Sequence, residues 1–205
     1  MPIDAGDTLA ESLHHHNPWW KHGTDAFELP VRQRSDFYHL ARPDESGSQF
    51  ADQPLLAVVG RRGVGKTTLV RQFIPHRIDA GADPEHFPSL PFDADPLYQL
   101  QSDEQLYRAV RYYESRVLGR VDADKRQFIV LDDVHRIEHR TKPTFEGWGG
   151  PVATLLDDDK RRHVAVTASA GVQITRELAT TDIEAADYHI QPILPEKFRD
   201  YLFSV

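Results

Sequence analysis

The chain has 205 residues, with 24 basic and 32 acidic side chains and a formal net charge of -8 at pH 7. This length suits one domain with a hydrophobic core, or one domain plus an extension. The excess of acid argues against broad nonspecific binding of DNA by this chain. Cysteine is absent, which excludes disulfide bonds and thiolate metal sites. No apolar run is long enough to cross a membrane and no secretory start is visible, so we expect a cytoplasmic protein without a membrane partner.

Residues 1–50 are polar and interrupted by prolines, and they predict an N-terminal arm with a flexible linker at 44–48. The triple histidine at 14–16 is a metal cluster, the remnant of a tag or part of a surface loop. Adjacent residues do not easily share one ion, which favours the loop. The segment 17–20, Asn-Pro-Trp-Trp, is unusual because two tryptophans in a polar arm need a cover. Either they pack on the following domain, or one of them stacks on an adenine base.

The strongest motif is Gly-Arg-Arg-Gly-Val-Gly-Lys-Thr at 60–67, which fits G-x-x-x-x-G-K-[ST]. An apolar run of strand length, 55–59, precedes it, and 66–74 reads as a helix that Pro75 kinks or ends. The N–H groups of such a loop and the dipole of the following helix face a phosphate. The lysine reaches the β- and γ-phosphates, and the threonine hydroxyl holds Mg²⁺. The predicted phosphate-binding residues are Gly60, Arg61, Arg62, Gly63, Val64, Gly65, Lys66, Thr67 and Thr68.

A second apolar strand, 128–131, ends in the carboxylates Asp132 and Asp133. Downstream of a phosphate loop, this pattern indicates one acid that holds the metal and one that acts on water. We expect Asp132 to hold Mg²⁺, together with the loop threonine, and Asp133 to orient or deprotonate the attacking water. Neighbouring side chains on a strand point to opposite faces, so both acids reach the γ-phosphate only if the strand ends there and bends.

A third buried strand, 163–166, leads to hydroxyls at Thr167 and Ser169. If this strand lies between the other two, Thr167 would sense the γ-phosphate. Ser169 could do the same, and capping of a helix at 170–179 is an equal alternative for it. The site prediction is therefore Lys66, Asp133 and Thr167 as catalytic residues, beside the phosphate and metal ligands.

The remaining elements complete a pattern of alternating strands and helices. A strand near 87–92 contains two prolines, which place it at a sheet edge. Helices follow at 103–118, after a capping box, and at 152–156. Strands that alternate with helices predict an α/β fold, the three-layer sandwich of P-loop nucleotide-binding proteins with a parallel sheet.

Several of these motifs occur together in one known family. They are the loop followed by Thr-Thr-Leu, the Leu-Asp-Asp strand end, Thr-Ala-Ser after the third strand, and the tail at 193–202. In this order they resemble the archaeal and bacterial AAA-type ATPases whose core ends in P-L-S-F-R-E-[FY]-L. The Asn-Pro-Trp-Trp arm is similar to that family too. The resemblance implies an additional-strand sheet order, with a strand between those of the two phosphate motifs, and Mg²⁺-dependent hydrolysis of ATP.

The resemblance also implies a domain organisation. Residues 1–50 would be the arm and linker, and 51–205 an ATPase core truncated before a C-terminal region. Such a region often carries a nuclease-like or DNA-binding module, so a DNA or protein partner is implied through it, and an oligomer is compatible with the family. The chain departs from the family at Asp133, where a longer Glu is usual, and at Ala168, where Gly is usual. It also lacks the family's Gly-Arg pair in 181–187, which predicts slow hydrolysis.

The leading interpretation is an ATPase core that works as a nucleotide-driven switch or motor. An ATP-binding interaction module with little turnover is the first alternative, favoured by the short Asp133 and the missing Gly-Arg pair. A P-loop kinase is the second. It needs an arginine-rich lid, for which Arg161 and Arg162 are the candidate pair. GTP is disfavoured because no N-K-x-D motif follows Asp133.

Overall fold

The computed structural model describes residues 5–28, 37, 53–92, 103–120, 126–134, 147–169 and 171–195. Within these ranges the strands are β1 Leu55–Val59, β2 Ser89–Pro91, β3 Gln127–Asp132, β4 Arg162–Ala168 and β5 Tyr188–Pro192. The α-helices are α1 Ala5–His16, α2 Trp19–His22, α3 Lys66–Asp79, α4 Asp103–Arg116, α5 Gly149–Asp158 and α6 Gly171–Ala179. Short 3-10 helices lie at Gly23–Ala26, Pro84–His86, Leu118–Arg120 and Ala185–Asp187.

The strands form one sheet in the order β2-β3-β4-β1-β5, and all neighbouring pairs are parallel. Strand β4 lies between β1 and β3, so the predicted additional-strand order is confirmed. Because the strands are parallel, the C-terminal ends of β1, β3 and β4 lie at the same end of the sheet. The register pairs Val58 with Thr167 and Leu131 with Val166, which brings Asp132 level with Thr167.

Helices cover both faces of the sheet, as the three-layer prediction requires. Every residue of β1, β3 and β4 is buried, which is typical of a parallel sheet with two covered faces. One core cluster joins one face of the strands to α1, α4, α5 and α6, and the other joins the opposite face to α3 and Trp19. No helix in the described ranges is long and apolar enough to cross a bilayer.

Two elements differ from the sequence prediction. Helix α3 does not end near residue 74 but continues through Pro75 to Asp79. Proline removes one helical hydrogen bond, but Phe73, Ile74 and Pro75 are all buried, and this packing outweighs the loss. Strand β5 was not predicted, because its residues are mostly half-exposed and form no apolar run. It pairs with β1 and is the edge strand on the side of the sheet opposite β2.

The arm is more structured than its composition suggests. Residues 14–16 lie in the last turn of α1 and not in a loop, so that expectation is wrong. In the part of the chain that the structure describes, no group of three or more metal-binding side chains forms. Trp19 is buried and Trp20 stacks on Tyr113 with 5.7 Å between ring centroids. Of the two alternatives for the tryptophans, the structure shows packing on the domain. The predicted linker at 44–48 lies outside the described residues, as does the predicted tail at 193–202 from residue 196 onward.

Candidate functional site

The glycines of the loop between β1 and α3 are required by its geometry. Gly63 and Gly65 have φ angles of 80° and 93°, a left-handed conformation that glycine adopts without strain. A Cβ atom on Gly60 would lie 2.5 Å from the Ile193 carbonyl oxygen and 2.9 Å from Val64 Cγ2. Gly60 therefore lies against the backbone beyond β5 and has no room for a side chain. Gly63 has open space around it, so its φ angle and not crowding requires glycine there.

The loop leads into the N-terminus of α3 as a phosphate cradle requires. The first helical hydrogen bond runs from the Leu69 N–H to the Gly65 carbonyl, over 2.9 Å. The N–H groups of Lys66, Thr67 and Thr68 precede that bond, so they have no acceptor within the helix. They also lie at the positive end of the helix dipole, which favours an anion. The predicted contribution of Thr68 is thus most simply its backbone N–H.

Lys66 is held across the loop by the loop's own carbonyls. Its side chain is buried, and its Nζ donates to the carbonyl oxygens of Gly60 and Arg61 at 3.0 Å each. An ammonium group has three donors, so these bonds leave one for a phosphate oxygen. The geometry keeps the positive charge inside the loop, where the predicted role of Lys66 needs it.

The other predicted loop residues differ in exposure. Arg61 and Arg62 are exposed at the mouth of the loop. The Val64 side chain is buried in the core cluster on the α3 face, so only its backbone faces the cradle. Ile193, which sequence reasoning missed, forms a wall of the loop: its N–H donates to the Val59 carbonyl at 2.6 Å. No sequence signal indicates such a contact, because it is made by the backbone of a residue distant along the chain.

Thr67 and Asp132 meet beside the loop. The Thr67 hydroxyl donates to Asp132 Oδ1 over 3.0 Å, although the residues come from α3 and from the end of β3. Asp132 is buried, with 5% of its surface exposed. A hydroxyl and a carboxylate are hard oxygen ligands, the type that Mg²⁺ prefers, and Mg²⁺ commonly binds proteins through few such groups. The donor set therefore fits the metal that the family implies.

Asp133 turns away from the strand that carries it. Strand β3 ends at Asp132, and Asp133 has a φ of 55°, the one positive value for a non-glycine residue among those described. The strand thus ends and bends at the point where the sequence argument required it to. Strained backbone of this kind costs energy and is common at functional sites.

Thr167 links the acids to each other. Its hydroxyl donates to Asp132 Oδ1 and accepts from the Asp133 N–H at 2.9 Å. Thr167 is fully buried, with 0% of its surface exposed. A hydroxyl has a single proton, and here Asp132 receives it. The predicted role as a γ-phosphate sensor stays a prediction, and these contacts indicate a second role in holding the acids in place.

The candidate lid of a kinase lies elsewhere. Arg161 pairs with Asp159 at 2.7 Å, and Arg162 pairs with Glu114 at 2.8 Å. Arg162 begins β4, so both arginines lie at the N-terminal end of this strand, whereas the phosphate loop lies at the C-terminal ends of the strands. Each guanidinium is already engaged there, which removes the observation that favoured the kinase alternative.

Comparisons with known proteins give the family. The model of the AAA domain family matches residues 52–202. The chain belongs to this family. It is therefore a P-loop ATPase domain of the AAA type, as its motifs and sheet order predicted. No curated protein matches the sequence significantly.

Solved structures share the fold at low sequence identity. The Walker-type ATPase PABY2304 of Pyrococcus abyssi aligns with a TM-score of 0.50 and 14% identity, over 82% of this chain and 54% of that protein. PCH-2 of C. elegans aligns with a TM-score of 0.39 and 13% identity, over 94% of this chain and 47% of that protein. The chain thus spans about half the length of the structures it matches. At such identity the first likeness shows the fold alone, and the second adds no argument.

Proposed function

We propose that this AAA domain binds ATP with Mg²⁺ and hydrolyses it, and that it acts as a nucleotide-driven switch or motor. The observation that carries the proposal is the meeting of Thr67, Asp132 and Thr167 beside the phosphate loop. These residues come from α3, β3 and β4. Core packing gives no reason for a buried carboxylate beside a helix N-terminus, whereas a metal and phosphate site does.

Each residue of the site has a distinct task in this proposal. The loop N–H groups and Lys66 bind the phosphates, and Thr67 with Asp132 would hold Mg²⁺. Bound Mg²⁺ would neutralise charge on the β- and γ-phosphate oxygens. Asp133 orients the attacking water and accepts its proton. Thr167 keeps both acids in position, beside its predicted contact with the γ-phosphate.

Hydrolysis by the chain alone is expected to be slow. An arginine that stabilises the developing phosphoryl charge is worth about 10³–10⁵ in rate, and the family's Gly-Arg pair is missing from 181–187. Arg61 and Arg62 are exposed at the loop and are the candidates to supply this charge within the chain. Without such help, we expect turnover well below about 1 s⁻¹.

The DNA or protein partner, the oligomer and the cytoplasmic location remain predictions of the sequence. The interaction-module alternative keeps two observations in its favour. The carboxylate of Asp133 is one methylene shorter than the family's Glu, and the family's Gly-Arg pair is missing. It differs from the ATPase in turnover and not in ATP affinity.

Steady-state turnover of ATP separates these functions. The purified chain should release phosphate slowly in Mg²⁺, and Asp133→Asn should bind ATP but release none. Adding candidate phosphoryl acceptors should leave the rate unchanged, since acceptor-dependent turnover is the property of a kinase. ATP binding with no phosphate release above that of Asp133→Asn would favour the interaction module. A fast rate that is independent of protein concentration would show that the chain supplies its own arginine.

A further inference from the structure

The side chain of Asn17 pairs with strand β2 as a neighbouring strand would. Its Oδ1 accepts from the Ser89 N–H at 2.6 Å, and its Nδ2 donates to the Ser89 carbonyl at 3.0 Å. The second Nδ2 proton goes to the Leu13 carbonyl at 2.7 Å, which ties the amide to the end of α1. Asn17 is 1% exposed, so these bonds are made away from water. A buried amide with its donors satisfied is a strong positional constraint.

Strand β2 lies at the edge of the sheet and has one side without a strand partner among the described elements. The Pro88 carbonyl accepts from the Val130 N–H at 2.8 Å, and the Phe92 N–H donates to the Asp132 carbonyl at 3.0 Å. Backbone groups of alternate residues point in opposite directions along a strand. Those of Phe87, Ser89 and Pro91 therefore face the open edge.

The arm bonds to three backbone groups on this open side of β2. The Phe87 carbonyl accepts from Trp19 Nε1 at 2.9 Å, and its N–H bonds to the Pro84 carbonyl at 3.3 Å. Asn17 takes both backbone groups of Ser89. Pro91 has no N–H to satisfy. An exposed strand edge would otherwise be a template for pairing with another chain.

The capped strand is in turn bonded to the metal-holding end of β3. Pro91 of β2 is in register with Asp132, and the Phe92 N–H bonds to the Asp132 carbonyl. A shift of β2 therefore moves the backbone that carries the Asp132 carboxylate. The arm and the site are joined through β2: Asn17 bonds to Ser89, the backbone runs from Ser89 to Phe92, and Phe92 bonds to Asp132.

We propose that the segment 17–20 acts as a strand built from side chains, which closes the β2 edge and holds Asp132 in register. Asn17 is then a positioning residue for the acid that binds Mg²⁺, and loosening the arm lowers ATPase competence. The closure of the β2 edge by residues 17–20 is called the cap below. The effect on activity rests on the proposed function, whereas the cap does not.

Amide hydrogen exchange of the nucleotide-free chain tests the cap. Asn17→Ala removes all bonds of the amide, and we expect the β2 and Asp133 amides to exchange about tenfold faster or more. Amides of β1, across the sheet, should change much less. Lys21→Ala is the matched control, because Lys21 is exposed on the same arm, and it should leave exchange unchanged.

Trp19→Phe provides a second variant if Asn17→Ala fails to fold. It keeps an aromatic ring against Phe27, whose centroid is 5.0 Å from that of Trp19. It loses the bond to the Phe87 carbonyl and part of the buried ring volume. Its effect on exchange should be in the same direction and smaller. Unchanged exchange in β2, or a rise spread equally over β1 and β2, would overturn the cap.

The Mg²⁺ dependence of turnover tests the coupling to the site. Asn17→Ala should raise the Mg²⁺ concentration for half-maximal turnover severalfold, with little change in the KM for ATP at saturating Mg²⁺. Leu178→Ala, which alters the buried end of α6, provides a variant of lowered thermal stability in which this concentration should not change. A local rise in β2 exchange with unchanged Asp133 exchange and Mg²⁺ dependence would overturn the coupling. If the wild type neither binds nor hydrolyses ATP, the proposed function fails, and exchange at Asp133 still decides whether the arm positions this strand end.

Discussion

At the scale of single residues, Thr167 contacts both acids of the candidate site, although its sequence position predicts a contact with the γ-phosphate. Thr167 donates to Asp132 and accepts from the Asp133 N–H, and it is fully buried. The tasks proposed for the two acids differ, yet Asp132 and Asp133 are adjacent along the chain, so a shift of one moves the other. A hydroxyl bonded to both is a compact way to fix their relative orientation.

Replacing this hydroxyl should uncouple binding from hydrolysis. Thr167→Val keeps the shape of the side chain but removes its bond to Asp132 Oδ1, which still accepts from Thr67, and its bond to the Asp133 N–H. Losing these hydrogen bonds at a buried position costs about 1–3 kcal/mol. We expect kcat for ATP to fall by about tenfold or more, with a smaller change in KM. Thr167→Ser, which restores the hydroxyl, should recover most of the rate. Wild-type kcat in a folded Thr167→Val protein would show that the bridge is irrelevant to the chemistry.

At the scale of elements, the phosphate loop is fixed by its neighbours as well as by its own sequence. Gly60 lies against the backbone of Ile193, the residue after β5, and β5 itself pairs with β1. The loop therefore has a wall on the side opposite α3. Strand β5 contributes no side chain to the proposed chemistry, yet it limits what can stand at the first position of the motif.

Gly60→Ala should therefore impair the loop. The added Cβ would lie 2.5 Å from a backbone oxygen that cannot rotate away, so the loop or β5 must shift. We expect ATP affinity to fall by about tenfold or more, as measured by isothermal titration calorimetry. Gly119→Ala is the control, since its Cβ would meet the nearest atom, the Glu114 carbonyl oxygen, at an ordinary 3.6 Å. Equal affinity in both variants would mean that the wall is unimportant.

The junction of β3 and β4 contains a buried histidine that should respond to pH. Burial holds the pKa of His163 below its ordinary value of 6.5, the hydrogen bond to the Gln53 carbonyl opposes this, and the charge of Arg126 adds to it. The unfolded chain takes up a proton near the ordinary pKa, whereas the folded chain does so at lower pH. This residue therefore removes stability as the pH falls through 6.5 towards the lowered pKa.

The measurement is the free energy of unfolding by urea between about pH 7 and about pH 5. Stability of the wild type should fall over this range more steeply than that of His163→Asn, whose amide can still donate to the Gln53 carbonyl. His15→Asn, at an exposed position in α1, should retain the wild-type slope. Parallel slopes for the wild type and His163→Asn would contradict the assignment.

The elements that sequence could predict are those with a local signal. Strand β1 and the centres of β3 and β4 are buried on both faces and read as continuous apolar runs, so their positions were predicted to within two residues. Strand β5 has no such run, because an edge strand is partly exposed. The persistence of α3 beyond Pro75 depends on packing against the sheet, which no local pattern encodes. The motifs of the site are local, whereas the Thr167 bridge and the Asn17 cap join residues far apart in sequence.

At the scale of the whole molecule, the sheet order brings the C-terminal ends of β1, β3 and β4 together. Strand β4 between β1 and β3 puts the hydroxyl of Thr167 beside Asp132, and the arm bonds to the open side of β2. The phosphate loop, the acids and the arm are thus connected through one hydrogen-bonded sheet. We expect a nucleotide bound at the loop to contact residues of α3, β3 and β4, and this sheet would link it to the arm.

We propose that the loop at 60–67 binds ATP, and the most direct test is the ATP affinity of the wild type and of Lys66→Ala. Calorimetry in Mg²⁺ should show binding to the wild type and a loss of about a hundredfold or more in Lys66→Ala. Lys160→Ala, at an exposed lysine whose partner is Asp157, should bind as the wild type does. Equal affinity of the wild type and Lys66→Ala, with unchanged circular dichroism, would contradict the account.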